Sequence, residues 1–164
     1  MGSFEIRKPI SDIMKFVGEC PFLDEFKIDM NPASIGRLST MVPDGSMVSY
    51  AGSVVVADKT DIIRATRRVT RQSNFQLVLL RKSNHEEYRH QIADFLFNFE
   101  HWIDYMQFHG LTPKLSTADD YKEDEVMWAD NGMYYSEWEG EESSLYLVQL
   151  HIRHTDEYIR EGIQ

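Results

Sequence analysis

Between Asn84 and Gly110, the apolar residues Tyr88, Ile92, Phe95, Leu96, Phe99, Trp102, Ile103 and Met106 recur at three- and four-residue spacing. That period predicts one stripe of a long amphipathic helix. Asn84 is a good N-cap, and Glu86 and Glu87 suit the positive end of a first turn. Gly110 fits the position just past a helix end. An aromatic stripe of this length needs a wide apolar surface to cover it, and a sheet face supplies one. Phe97, Tyr105 and Phe108 fall off the stripe and mark a second, partner-facing surface.

The rest of the chain reads as strands around one shorter helix. Pro9 opens a helical pattern through Ile10, Ile13, Met14 and Val17, which Gly18 and Pro21 end. A short strand is expected over Phe22–Met30, and turns at Asn31–Ser34 and Pro43–Ser46. Met47–Ala57 is β-branched and aromatic, with a bulge or break at Gly52. Ile62–Lys82 predicts two consecutive strands or one long bent strand, with arginine on both faces and a bend at Ser73-Asn74. Within it Leu77–Leu80 is apolar on both sides, as in a central strand covered on both faces. Ser116–Glu125 reads as an exposed acidic loop. Asp130-Asn131-Gly132 predicts a tight hairpin turn, with Trp128 and Trp138 packing across its two arms. A turn at Glu139–Ser144 then leads to a final alternating strand, Leu145–Arg153.

Strands and helices are segregated along the chain. The expected class is therefore α+β, with a mostly antiparallel (mixed) sheet and both helices packed against it. The 164 residues are expected to form a single domain, 1–164, with its core at about 9–154 and an acidic C-terminal tail at 155–164. The start of the chain lacks the apolar core of an export signal, and no apolar run reaches membrane-spanning length. A lone cysteine, Cys20, excludes a disulfide framework within the chain and is expected to be buried or incidental.

The net charge of −10 is unevenly spread. From Lys59 to His90 eight bases face three acids, a net of +5; from Ser116 to the end three bases face thirteen acids, a net of −10. A basic middle and an acidic end suit head-to-tail docking of copies and make a poor general binder of nucleic acid.

Motifs that carry chemistry are missing. The six histidines lack a His-Glu-x-x-His pattern, and His151 and His154, three apart on a strand, point to opposite faces. Asp119-Asp120 and Glu123-Asp124-Glu125 have the residue types for Mg²⁺ or general acid–base work, but they sit in a polar run that favours a solvated loop. There is no phosphate loop, dinucleotide fingerprint or Gly-x-Ser-x-Gly. The arginines at 64, 67, 68 and 71 lack the interleaved aromatics of a single-strand binder.

The run Asn74-Phe75-Gln76-Leu77-Val78-Leu79 leads into a helix ending Trp102-Ile103-Asp104-Tyr105, then Gly110-Leu111-Thr112-Pro113. With Val126-Met127-Trp128-Ala129-Asp130-Asn131-Gly132 and Leu145-Tyr146-Leu147-Val148-Gln149-Leu150, this order resembles the tail-terminator or minor capsid proteins of long-tailed bacteriophages and prophages. The resemblance covers most of residues 10–154. It implies a sheet with packed helices, no enzyme activity and no cofactor or metal. It also implies a self-assembled ring, usually a hexamer, capping the tail tube and meeting the head-completion or connector protein. Such a protein would belong to the virion, and to the bacterial cytoplasm during assembly, with DNA passing through unbound and no membrane contact. On that resemblance Arg64, Arg67, Arg68 and Arg71 are expected to face a neighbour's acidic loop, with Phe97, Tyr105 and Phe108 in the subunit interface. Asp119, Asp120, Glu123, Asp124 and Glu125 would supply the acidic loop or the lumen. The alternatives are a head-completion or connector adaptor, a small metal-dependent enzyme using the acidic loop 119–125, and a host-binding module using the hairpin aromatics.

Overall fold

The computed structural model describes residues 4–26, 28, 45–81, 86–117, 125–138 and 143–160. Helix α1 spans Pro9–Gly18 and α2 spans Glu86–Phe108; the strands are β1 (Gly45–Asp61), β2 (Thr66–Arg81), β3 (Val126–Trp138) and β4 (Ser143–Ile159). The strands form one sheet in the order β1-β2-β4-β3, with every pairing antiparallel. The fold is therefore α+β, as expected, and the described sheet is antiparallel throughout rather than mixed.

Register explains the core. On β2 the odd-numbered Phe75, Leu77 and Leu79 pair with Leu150, Val148 and Tyr146 of β4, so all six side chains share the sheet face that packs on the helices. Ile92, Phe95, Leu96, Phe99 and Ile103 of α2 close over that face, with Trp102. Each fully buried large side chain stabilises the fold by roughly 1.5–3 kcal/mol. The opposite face of β2 carries Val78 and Leu80, which form a smaller cluster with Leu145, Met47 and Leu147. Leu77–Leu80 is thus central and covered on both sides.

Helix α1 starts at Pro9, where the missing N–H costs nothing. Its Phe16 ring stacks on Trp102, centroids 4.9 Å apart. Phe22 and Phe26 complete the aromatic cluster against Phe95. The expected strand at Phe22–Met30 is not formed in its described part: residues 21–26 are turns, which aim both phenylalanines at the helices. Cys20 is buried, and burial pushes its thiol up to about 11 against a hydrogen bond with the Phe22 backbone that lowers it. At α2's end Gly110 takes φ +69°, with Leu111 N–H donating to Met106 and Gly110 N–H to Gln107. The Asn84 cap lies outside the described residues.

Phe97, Tyr105 and Phe108 lie off the buried stripe, as their spacing predicts, and are exposed on the outer face of α2 together with Asp94, Asn98 and Asp104. Three expectations change. Ile62–Ala65 is the turn joining β1 to β2, not strand, and β2 runs unbroken from Thr66 through Ser73-Asn74. The acidic tail expected from 155 begins inside β4, which continues to Ile159 with Thr155 and Asp156 buried. Finally, Asp130-Asn131-Gly132 is no hairpin turn. Met127–Asp130 and Met133–Trp138 both pair with β4, and Asn131-Gly132 is a bulge between them. Trp128 and Trp138 therefore lie along one strand. At Gly52, by contrast, the expected bulge is present, with φ +90° and a register shift between Tyr50 and Ser53.

Helix α2 explains the bulge. Gly132 N–H donates to Glu100 Oε1 at 2.8 Å, and a Cβ on Gly132 would lie 2.7 Å from that oxygen and 3.2 Å from Leu96 Cβ. Glycine suits this close approach, not a turn: the Glu100 carboxylate could swing aside, but Leu96 would have to give by a few tenths of an ångström. Gly132→Val should cost about 1–3 kcal/mol through overpacking and loss of the Glu100 bond. Urea unfolding should show a lower midpoint with an unchanged slope; an unchanged midpoint would mean the helix does not press on this strand.

Candidate functional site

The end of the sheet at Arg71, Ser73, His154 and Asp156 borders a cleft of about 500 Å³. The N-terminal segment lies along it, with Phe4, Ile6 and Pro9 in its wall beside Tyr50, Phe75 and Tyr158. Alternation along β4 brings His154 and Asp156 to the same face, opposite Arg71 and Val69 of β2. His151, three residues earlier, points to the other face, as its spacing predicts.

Here buried polar groups tie separate chain segments together. The Arg7 guanidinium donates to both Asp156 oxygens, at 2.7 and 3.0 Å, and to the Leu115 carbonyl at 2.5 Å. Ser116 Oγ accepts from Thr155 N–H at 2.9 Å, and Thr117 Oγ1 from Glu157 N–H at 3.0 Å. Glu125 Oε1 accepts from Leu115 N–H. The Ser73 hydroxyl and His154 Nε2 are 2.8 Å apart. Burial pushes the Asp156 carboxyl up, but His154 and Arg7 outweigh it and hold the group at about 2. Burial raises Glu125, opposed by the Leu115 N–H, Lys114 and His154.

Ser73, His154 and Asp156 stand in the order of a nucleophile, base and orienting acid, without that geometry. His154 Nδ1 is 3.9 Å from Asp156 Oδ1, beyond a hydrogen bond, and both Asp156 oxygens are held by Arg7. What the arrangement does do is clamp the N-terminal segment and the 111–117 loop to the outer end of β4.

The open sheet face carries a second constellation. His151 Nδ1 is 2.6 Å from Asn74 Oδ1, and its Nε2 is 3.0 Å from Asp130 Oδ1. Trp128 stacks on the imidazole at 5.1 Å, and the Arg153 guanidinium lies 5.9 Å from the indole centroid. Among the described residues, no three His, Cys, Asp or Glu side chains are grouped to hold a metal. No described helix is long and apolar enough to cross a membrane.

The four arginines do not share one surface. Arg64 is in the β1–β2 turn, 3.8 Å from Asp61. Arg67 makes two bonds to Asp58, at 3.0 and 2.7 Å, and Arg68 bonds Glu157 at 2.6 Å. Arg71 lines the cleft. Phe97, Tyr105 and Phe108 are brought together on the outer face of α2. Glu125 is buried, not in a solvated loop, because its carboxylate serves the Leu115 backbone. Asp119, Asp120, Glu123 and Asp124 lie outside the described residues.

Sequence reasoning missed Arg7, Gln107 and Asp156. Gln107 Oε1 accepts from Met127 N–H at 2.8 Å and from Thr112 at 3.0 Å, while its Nε2 donates to the Glu125 carbonyl at 2.8 Å. No spacing rule announces such a bridge. Asp156 carried a signal in hindsight: the alternation of Leu145–Arg153 continues through it.

No protein-family model matches this chain, and no curated protein matches it.

Because the Asp156 carboxyl is depressed in the folded state, its contribution is full above the ordinary aspartate range near 4 and is lost as pH falls towards about 2. Arg7→Ala should destabilise the protein by about 2–3 kcal/mol at pH 7, by stripping the hydrogen bonds from a buried carboxylate. The gap between wild type and variant should narrow as pH falls from about 5 to 2, as the carboxyl protonates first in the variant and, near 2, in the wild type. Denaturant unfolding across that range checks it; a gap independent of pH would show that Arg7 acts by packing alone.

Proposed function

We propose that this chain is a structural virion protein of a tailed phage or prophage that caps the tail tube as an oligomeric ring and joins tail to head. The reading rests first on the order of elements that resembles the tail-terminator and minor capsid proteins. The observation that carries it here is the apolar surface that one copy leaves uncovered. Phe108 is 86% exposed on α2 beside Phe97 and Tyr105, and Ile63 is 97% exposed beside Ile62 at the β1–β2 turn. Large apolar side chains grouped at the surface mark contacts with other chains. Two separate patches on one chain suit a ring, in which each subunit presents one surface to each neighbour.

In this role the partners are further copies of the chain, the tail-tube protein below and the head-completion or connector protein above. The ring would sit in the virion and would be built in the bacterial cytoplasm. DNA passes through it without specific contacts. No cofactor or metal enters the reading.

Electron microscopy of particles from the source phage or prophage with this gene deleted tests it. Full heads beside unjoined tails of irregular, excessive length are the expected result. Normal virions would overturn the proposal, and normal-length tails beside heads that leak DNA would move the protein to the head-completion position.

A further inference from the structure

Two apolar patches lie at opposite edges of the sheet. The first is the β1–β2 turn, where Ile62 and Ile63 are exposed and Arg64 is 81% exposed along its side chain. This tip is a built turn: Asp61 Oδ1 accepts the N–H groups of Ile63 and Arg64 at 3.0 and 3.1 Å, and Ala65 takes φ +52°. Arg160 N–H braces it from the end of β4, donating to the Ala65 carbonyl at 2.8 Å. A turn fixed in this way loses little conformational entropy when it docks.

The second patch is the outer face of α2. Phe97, His101, Tyr105 and His109 follow at four-residue spacing, with ring centroids 4.3 Å apart for Phe97–His101 and 4.5 Å for Tyr105–His109. Phe108 packs edge-on against His109. Asp94 and Asp104 flank this stripe and are exposed, and no described residue forms a salt bridge with either carboxylate. The tip is thus apolar with a projecting cation, and the stripe is aromatic with flanking anions.

These patches cannot meet within one subunit. Helix α2 lies over β3, at one edge of the sheet, while the tip ends the hairpin that forms the other edge. Strand addition between copies is disfavoured, because both edge strands carry two bulges: β1 near Tyr50 and Val55, β3 near Asp130 and Tyr134. We infer that the tip of one copy, Ile62–Arg64, docks on the Phe97–Tyr105–Phe108 stripe of the next, with Arg64 reaching Asp104. The inference deepens the ring reading and rests on it. The contact joins two different surfaces, so it is heterologous, and repeating it closes a ring or extends a filament. The Arg64–Asp61 pair, long and exposed, is easily exchanged for Asp104.

The test uses the full chain with Ile63→Cys or Phe108→Cys, each at a highly exposed position where the fold is indifferent to the change. Cys20 is buried and its thiol is raised, so it does not compete. Mild oxidation of an equimolar mixture should give a mixed disulfide in several-fold excess over the dimer either variant forms alone. Adding Arg64→Asp to the first variant should cut that yield several-fold, and Asp104→Arg in the second should restore it. No mixed disulfide, or equal cross-linking of each variant with itself, would overturn the contact. The gene-deletion phenotype is read separately. Long unjoined tails without the cross-link would leave the ring reading standing and reject this contact, and the cross-link with normal virions would do the reverse.

Discussion

The packing of α2's aromatic stripe against the sheet is the contact on which the other elements depend. Phe95 and Phe99 are fully buried and stacked, centroids 5.4 Å apart, and Trp102 continues the row. They cover Phe75, Leu77, Leu150 and Ile152 on one side and receive Phe16, Phe22 and Phe26 on the other. Helix α1 meets this row through the Phe16–Trp102 stack and also touches β1 of the sheet directly, burying Ile13, Phe16 and Val17. The stripe is therefore shared by the sheet and the first helix. Its aromatic content matters because rings of this size span the gap that smaller apolar side chains would leave as cavities.

Polar groups set the position of the helix along the sheet. Gln107 bridges the α2 end, the loop after it and the start of β3, while Glu100 holds the backbone at Gly132. The two anchors lie seven residues apart on the helix, close to two turns, so both face β3. Apolar packing alone is non-directional. These hydrogen bonds supply the register, and they account for an Asn-Gly pair forming a bulge in β3. A tight turn there would have left Ser143–Leu147, the first half of β4, without its β3 partner.

The period-based readings survived where one local force dominates. The extent of α2, the Gly110 cap, the Gly52 bulge, the opposed faces of His151 and His154 and the central place of Leu77–Leu80 were all legible, because side-chain period and glycine conformation decide them. The reading failed where tertiary contacts override local preference. Asp130-Asn131-Gly132 carries strong turn chemistry, but pairing with β4 and the pressure of α2 decide its shape. Asp156 read as a solvated tail because Arg7, 149 residues away, is what makes its burial tolerable. Glu125 read as loop charge for the same reason, its partner being the Leu115 backbone. The exposure of Phe97, Tyr105 and Phe108 was legible because they break the stripe, whereas the partners of the arginines come from strand pairing that no local pattern encodes.

That division bears on how copies of this chain would associate. Arg67 and Arg68 are engaged by Asp58 and Glu157 across the β1–β2 and β2–β4 ladders, so these charges already serve register within the subunit. An interface that recruited them would first have to break those bonds, and exposed ion pairs return little in water. Uncovered Ile62, Ile63, Phe97, Tyr105 and Phe108 carry no such debt. Removing them from water is favourable in proportion to the apolar area covered. On the proposed contact the charge asymmetry along the chain would have a narrower part: it would steer approach and orient Arg64 of the tip, while apolar area would supply the affinity.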